Sequence, residues 1–250
     1  MTPKTVRAQE RADKAAAAFA EAKKKQRRRN ILSAVGVSVA VLVIIGAGVG
    51  INALRDKSST QNFESNVPVA GSTDYGLVVG DAGAPHKIVV YEDFLCPICG
   101  VLESTAGERL NTLIDEGKVQ IDYRPIAILS RISSYSDESL NAFFVVRDAS
   151  GPEVAKKFHD LLYADQPAED SATFPDADWF VAKAVEAGAS EADVRDGIET
   201  NAQADTVTAA TEESDKAGVK GTPTILLDGK VFNDGANWED IANNLVKAVE

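Results

Sequence analysis

The stretch EDFLCPIC, residues 92–99, decides the fold because it places a CxxC pair between a strand pattern and a helix pattern. The run before it, residues 87–91, is mostly apolar and typical of a fully buried strand. After Cys96, apolar residues recur at 102, 106, 110, 113 and 114, which is helical spacing, and Gly117 stands where a C-cap is expected. Residues 119–125 then alternate like a strand. The sequence therefore predicts a β-α-β unit with the CxxC at its first junction.

The remainder of the chain places a helical insertion before a return to β structure. Helical patterns cover 135–149, 152–164, 177–187, 190–200 and 202–217. Residues 224–227 and 230–232 flank an Asp-Gly pair, which predicts a tight hairpin. A last helix should begin near Asn237. We therefore predict an α/β fold in which an insertion over about 131–218 interrupts a small sheet.

The N-terminal part predicts a membrane anchor. Residues 1–30 hold ten Lys/Arg and three Asp/Glu, a net of +7, so with -12 for the whole chain the other 220 residues carry -19. Residues 31–54 contain no charge, and about twenty apolar residues suffice to cross a bilayer as helix. Six basic residues crowd the N-terminal flank of this run. The positive-inside rule therefore leaves the N-terminus in the cytoplasm and exports the chain after Leu54.

A cleaved signal peptide is the alternative interpretation of that run. The 30 residues before it, the length of the run itself and the poor cleavage site at 50–53 all favour an uncleaved anchor. The predicted organisation is a cytoplasmic basic tail (1–30), a transmembrane helix (31–54), a linker (55–75) and a folded domain (76–250).

The acidic charge of the folded domain and the small size of the basic patch in the tail argue against nucleic-acid binding.

The predicted export of the folded domain decides how the two cysteines are interpreted. In an exported domain a pair two residues apart would close a tiny loop and constrain the unfolded chain little, so redox chemistry is the better interpretation. Cys96 would lie at the helix N-terminus, where free N–H groups stabilise a thiolate, and Cys99 one turn further in. Cys96 is the expected attacking thiol and Cys99 the resolving one. Pro97 and Ile98 between them should tune the reduction potential, and Ile98 adds no polar group.

The motif at 92–99, the helical insertion and Thr222-Pro223 before a hairpin together resemble the DsbA-like branch of the thioredoxin superfamily, particularly its membrane-anchored Gram-positive forms. The resemblance covers residues 76–250 and implies a thioredoxin fold. It also implies that Pro223 is a cis-proline facing the CxxC and that the Thr222 backbone pairs with substrate. It further implies a redox-active Cys96–Cys99 disulfide in place of a bound cofactor.

This chain departs from the family pattern in one place. Thioredoxin-fold enzymes often carry a buried acid six residues before the first cysteine, where this chain has Val90. Glu92 or Asp93 could take over proton transfer, since Glu92 shares the side of Val90 on an extended strand. The alternative is that both acids mark a solvated strand end.

Metal binding is not expected from the ligand count. A four-ligand site normally needs a second Cys/His pair, and His86 and His159 lie 73 residues apart with no companion near either in the sequence. We expect both to be structural histidines, at the surface or half-buried.

The resemblance leaves three functions open. The first is a dithiol oxidase that forms disulfides in exported proteins with free cysteines and is re-oxidised by a quinone-linked membrane protein. The second is a reductase or isomerase of exported proteins. The third is a membrane-anchored binding module in which the Cys96–Cys99 pair is only a stable structural disulfide.

Overall fold

The computed structural model describes residues 74–250, where five strands form one mixed sheet. The strands are β1 (Leu77–Val79), β2 (His86–Glu92), β3 (Val119–Pro125), β4 (Thr224–Leu227) and β5 (Lys230–Val231). Their order across the sheet is β1-β3-β2-β4-β5. β2 runs parallel to β3, and the other neighbours pair antiparallel.

Seven helices accompany the sheet in this part of the chain. They are α1 (Pro97–Asp115), α2 (Tyr135–Ser150), α3 (Pro152–Ala164), α4 (Ala177–Ala187), α5 (Glu191–Glu199), α6 (Ala204–Lys216) and α7 (Trp238–Val249). Helix α1 is the crossover between the parallel strands β2 and β3, and it packs against α7. Helices α2 to α6 form the insertion between β3 and β4.

Strand β2 is central and apolar on both faces because both faces of the sheet are covered. Ile88 and Val90 belong to the larger core, with α1, α7 and the insertion. Val89 and Tyr91 point to the opposite face, where they join a smaller cluster with Val219 and others. Such two-sided burial explains why the sequence of this strand is a continuous apolar run.

The insertion has its own aromatic core and is docked onto the half of the domain that carries the CxxC. Its buried side chains include Phe143, Phe144, Phe158 and Phe180. Helix α3 packs against α2 and α4 and also against α1. Through this last contact, residues of the insertion reach the N-terminal half of α1.

The sequence-based elements agree closely with the structure. The ranges 152–164 and 177–187 match α3 and α4, and the other helices of the insertion shift by one or two residues at their ends. Asp228 and Gly229 both have positive φ, 50° and 79°, as a two-residue type I′ hairpin requires. The thioredoxin-like α/β fold with a helical insertion is confirmed.

The predicted basic tail and transmembrane helix, and most of the predicted linker, lie outside the described residues. Within residues 74–250, no helix is both long and apolar enough to cross a membrane.

Candidate active site

The CxxC begins helix α1 at the carboxyl end of β2. Cys96 is the N-cap, with extended backbone angles of -71° and 115°, and Pro97 follows at the first helical position. Proline suits that position because its φ is already helical and its missing N–H would have no partner there. The backbone N–H of Gly100 donates to the Cys96 carbonyl at 3.2 Å, which closes the first turn.

The two sulfurs occupy different environments. Cys96 is 6% exposed and Cys99 is completely buried, while Pro97 and Ile98 between them face solvent. Both cysteines are thiols in this structure. An incoming sulfur can therefore reach Cys96 but not Cys99.

The pKa values of the two thiols diverge. A hydrogen bond with Cys99 is the largest cause that lowers the pKa of Cys96, and burial opposes it. The Thr222 side chain and the backbone N–H groups of Ile98 and Cys99 add to the lowering, and the pKa of Cys96 falls to about 6. Burial, together with Cys96 and the charge of Glu92, raises the pKa of Cys99 well above its usual value. At neutral pH the pair holds one thiolate, at Cys96, and one thiol.

The loop before β4 forms the opposite wall of the site. The Thr222-Pro223 peptide bond is cis. When it is protonated, the Cys96 thiol donates to the Thr222 carbonyl oxygen at 3.3 Å, across 126 residues of sequence. A groove of 310 Å³ lies beside this loop, and its lining residues are Gly218, Val219, Lys220, Gly221, Thr222, Pro223, Thr224, Val231 and Trp238.

Both acids before the CxxC are buried, so the interpretation of a solvated strand end is wrong. Asp93 is 0% exposed, and its carboxylate accepts from the Leu95 N–H at 2.9 Å, the Leu129 N–H at 3.0 Å and the Ser136 hydroxyl at 2.7 Å. Burial raises the pKa of Asp93, and these hydrogen bonds oppose that rise. Asp93 therefore ties the loop before Cys96 to the insertion.

Glu92, also 0% exposed, is bonded to a histidine that the sequence did not indicate as part of the site. His159 Nε2 lies 2.6 Å from Glu92 Oε1, and His159 Nδ1 lies 2.9 Å from Asp160 Oδ1. Burial alone would lower the pKa of His159, but the charge of Glu92 and the bonds with Asp160 and Glu92 raise it to about 10. The expectation of a surface or half-buried His159 is wrong: its ring is completely buried against Tyr123, Tyr163 and Phe94.

No Cys/His companion lies near His159 in the sequence, but the fold brings two glutamates close to it. One ligand atom each of Glu92, Glu103 and His159 lie within 4.8 Å of one another. However, Glu92 and His159 are only 2.6 Å apart, the length of a charge-assisted hydrogen bond. Two ligands of a tetrahedral zinc ion would lie roughly 3.3 Å apart, given bonds of about 2.0–2.1 Å. The 2.6 Å distance therefore indicates a hydrogen bond in which Glu92 and His159 share a proton.

Gln166, which follows α3, is a further site residue that the sequence did not reveal. Its Nε2 donates to the carbonyl oxygens of Phe94 and Cys96, each at 2.9 Å. A glutamine 70 residues from the CxxC carries no local signal of such a role. Val90, the position of the missing family acid, is an ordinary core residue.

Comparison with known proteins agrees with this geometry. The thioredoxin family model Thioredoxin_4 matches residues 72–247. The chain is 24% identical over 178 residues to disulfide bond formation protein D of Bacillus subtilis (strain 168), in a match that covers 69% of this chain and 77% of that protein.

Two solved structures from Mycobacterium tuberculosis are also similar. Reduced DsbA matches with 27% identity and a TM-score of 0.59, over 70% of this chain and 92% of that one. The reduced disulfide bond oxidoreductase DsbG matches with 28% identity and a TM-score of 0.59, over 70% and 86%. The chain therefore belongs to the thioredoxin family, as a thiol–disulfide oxidoreductase of the DsbA type.

Proposed function

We propose that this protein is a membrane-anchored dithiol oxidase that introduces disulfides into exported proteins. The observation that carries the direction of electron flow is the stabilised Cys96 thiolate, with its pKa of about 6, beside a buried Cys99 thiol. Stabilisation of the Cys96 thiolate favours reduction of the disulfide, and this makes the enzyme more oxidising than one whose attacking thiol has an ordinary pKa.

The oxidative cycle runs through two exchange steps. A substrate thiolate attacks Cys96 Sγ of the Cys96–Cys99 disulfide, forms a mixed disulfide and expels Cys99 as a thiolate, which takes up a proton. A second substrate thiolate then attacks the substrate sulfur of the mixed disulfide and expels the Cys96 thiolate. The substrate has lost two electrons to the enzyme. The cycle uses only the cysteine pair and no bound cofactor.

The surface around Cys96 suits an unfolded or extended polypeptide. Ile98 is 38% exposed next to the reacting sulfur. The groove of 310 Å³ beside Thr222 and Pro223 offers Val231 and Trp238 to an apolar side chain. The backbone of Thr222 lies within reach of a peptide that is disulfide-linked to Cys96. We therefore infer that substrates are exported proteins whose free cysteines are flanked by apolar residues.

The placement outside the membrane is inferred from the charge pattern. The uncharged run at 31–54 comes after a tail of net charge +7, which favours a cytoplasmic N-terminus. A site outside the cytoplasm lies in an oxidising environment, where the disulfides that an oxidase forms in its substrates persist. The reduced Cys96–Cys99 pair must then be re-oxidised, and a quinone-linked membrane protein is the proposed acceptor.

The reduction potential tests the direction of electron flow. The full-length chain is equilibrated with glutathione buffers, and the fraction of free Cys96 is measured by alkylation. We expect a potential between those of DsbA and thioredoxin, roughly -120 to -240 mV, because the pKa of Cys96, about 6, lies between those of their attacking cysteines. A potential near -270 mV, about that of thioredoxin, would support the reductase alternative and overturn the oxidase proposal.

Thiol labelling in intact cells tests the location. The chain has only two cysteines, both in the folded domain. A membrane-impermeant maleimide should therefore label Cys96 after mild reduction of intact cells whose outer layers are permeable to it. Labelling that requires lysis of the cell membrane would contradict the proposed topology. Cys96→Ser, which should remove the label, is the control for specificity.

A further inference from the structure

The side-chain amide of Gln166 contacts the backbone around Cys96 at two points. Its Nε2 lies 2.9 Å from the carbonyl oxygen of Phe94 and 2.9 Å from that of Cys96. An amide nitrogen carries two hydrogens, so each carbonyl receives one of them. The reverse orientation would place Oε1 against two carbonyl oxygens and is excluded. One planar group therefore fixes the peptide unit before Leu95 and the peptide unit after Cys96.

The N–H groups of the same loop are held by Asp93. The Leu95 N–H donates to the Asp93 carboxylate at 2.9 Å, and the Cys96 N–H donates to the Asp93 carbonyl oxygen at 2.9 Å. The Cys96 carbonyl also accepts from the Gly100 N–H, but at the longer distance of 3.2 Å. Asp93 thus holds the donors of the loop, and Gln166 holds its carbonyl groups.

The orientation of the Cys96 carbonyl matters because Cys96 is the N-cap of α1. Its backbone angles of -71° and 115° are extended, and the helix begins at the next residue, Pro97. Rotation of the Cys96 carbonyl about the Cα–C bond therefore swings the first turn of α1 relative to the Cys96 side chain. The backbone N–H groups of Ile98 and Cys99 in that turn lower the pKa of Cys96. A group that fixes the carbonyl also fixes the sulfur against these donors.

The helical insertion brings Gln166 to this position through the end of α3. The ring of Tyr163, in the last turn of α3, packs on Phe94 with ring centroids 5.3 Å apart. The Gln166 N–H donates to the Tyr163 carbonyl oxygen at 3.3 Å. The neighbouring Asp165 is paired with Lys183 of α4 at 2.6 Å. Contacts of the insertion therefore set the place of Gln166 independently of its own bonds to the CxxC.

We propose that Gln166 is a positioning residue for thiol–disulfide exchange: it holds the Cys96 carbonyl so that the Cys96 sulfur stays against the N–H groups of the first turn of α1. It acts through the backbone of Cys96. Without it the carbonyl rotates, the thiolate loses part of its backbone stabilisation, and the reduced enzyme becomes less stable relative to the disulfide. The inference rests on exchange chemistry at Cys96–Cys99, but not on the proposed direction of electron flow.

Gln166→Met removes both donors, keeps the length of the side chain and adds no charge. The rate at which iodoacetamide alkylates Cys96 is measured against pH in the reduced full-length chain, and the reduction potential is measured by equilibration with glutathione. We expect the alkylation midpoint to rise by about half a pH unit, which is about a threefold change in the thiolate equilibrium. The potential should become more negative by about 15 mV, the same threefold change for a two-electron couple.

The charges around Cys96 stay constant in Gln166→Met. The side chains that act on the Cys96 sulfur are Cys99 from α1 and Thr222 from the loop before β4. Two carboxylates flank the contact, Asp93 in the loop before α1 and Asp165 in the turn after α3, and both remain. A shift of the midpoint therefore reports the lost donors.

Gln166→Glu is the second variant. An ionised carboxylate of the same shape donates no hydrogen bond and brings a negative charge toward the thiolate, so both shifts should be larger than in Gln166→Met. If Gln166→Met does not fold, Gln166→Asn, whose shorter side chain cannot reach both carbonyls, is measured in its place.

Gln203→Met is the matched control. Gln203 is a half-buried glutamine of the insertion whose side chain also makes two hydrogen bonds, with Asp148 at 3.1 Å and Thr206 at 2.6 Å, and none of these residues belongs to the active site. Its replacement should lower the free energy of unfolding but shift neither the midpoint nor the potential.

A Gln166→Met variant that is less stable to denaturant but keeps the midpoint and potential of the unmodified protein would overturn the proposal, because Gln166 would then be structural only. Shifts of equal size in Gln203→Met would also overturn it, since any loosening of the insertion would suffice. A reductive potential of the unmodified protein, combined with both shifts in Gln166→Met, would reject the oxidase direction and leave the role of Gln166 standing.

Discussion

Gln166 Nε2 donates to the carbonyl oxygen of Cys96 at 2.9 Å, so a side chain of the helical insertion holds the backbone of the attacking cysteine. The same nitrogen donates to the Phe94 carbonyl at 2.9 Å. Gly100, in the first turn of α1, leaves the space that Gln166 occupies: a Cβ there would meet the Gln166 side-chain oxygen far inside van der Waals distance.

Gly100→Ala should therefore destabilise the protein although alanine is the better helix former by about 1 kcal/mol. Gln166 would have to move and lose two hydrogen bonds, each of which contributes about 1 kcal/mol. Denaturant unfolding of the full-length chain measures the change in the free energy of unfolding. Gly107→Ala on the same helix, where the added methyl meets only the flexible end of Glu103, is the control and should be neutral or stabilising.

The double variant of Gly100→Ala with Gln166→Ala isolates the contact. If the steric conflict is with Gln166, the two changes together should cost less than the sum of each alone. Additive costs would show that Gly100 is required for another reason.

The reactivity of Cys96 should depend on pH through its own ionisation. With a pKa of about 6, Cys96 is mostly thiolate at pH 7, so its rate of alkylation by iodoacetamide should be near its plateau there. The rate should fall as the pH drops through about 6, because the thiol form is unreactive. Cys99→Ala removes the second thiol and with it the hydrogen bond that is the largest cause of the low pKa of Cys96, so the midpoint should move upward. An unchanged midpoint in Cys99→Ala would contradict this assignment.

Much of the fold was predictable because its signals are local. Helix α3 begins at Pro152 after Gly151 and carries an amphipathic pattern, so its range could be derived from residues 151–164 alone. The hairpin likewise depends on the adjacent Asp228-Gly229 pair. The CxxC and its strand-to-helix junction were predictable for the same reason.

The environment of Glu92 was not predictable because it arises from docking. His159 is 67 residues from Glu92, and the pattern of α3 shows which residues share a face but not that this face meets α1. Gln166 reaches Cys96 from a loop 70 residues away by the same packing. Carboxylates are usually exposed, but Glu92 is buried because the insertion supplies a buried cation, His159, as its partner. The differences between the sequence-based predictions and the structure therefore lie at the active site, where contacts between distant residues override local sequence preferences.

Replacement of Asp93 should lower the free energy of unfolding by a measurable amount. Its carboxylate accepts from two backbone N–H groups and from the Ser136 hydroxyl, all within 3.0 Å. Asp93→Ala would leave these buried donors without an acceptor, at a cost of about 3 kcal/mol in the free energy of unfolding. Thermal or denaturant unfolding measures it. Asp170→Ala, at an exposed position, should change stability by less than about 0.5 kcal/mol.

Thr222→Val should make the enzyme a weaker oxidant without changing the shape of the loop. Valine keeps the volume of threonine and the backbone carbonyl that accepts from Cys96, but it removes the hydroxyl that lowers the pKa of Cys96. The thiolate then loses about 1 kcal/mol of stabilisation. Because a less stable reduced form is harder to make, the reduction potential should become more negative by about 20 mV, and the alkylation midpoint should rise.

Thr222→Ser, which keeps the hydroxyl, is the matched variant and should retain both the potential and the midpoint of the unmodified protein. Glutathione equilibration and the pH dependence of alkylation measure the two quantities independently. A shift of equal size in both variants would mean that the loop has moved and that the hydroxyl does not act on Cys96. A shift in Thr222→Val alone would assign part of the oxidising power to a single hydrogen bond from the loop that faces the CxxC.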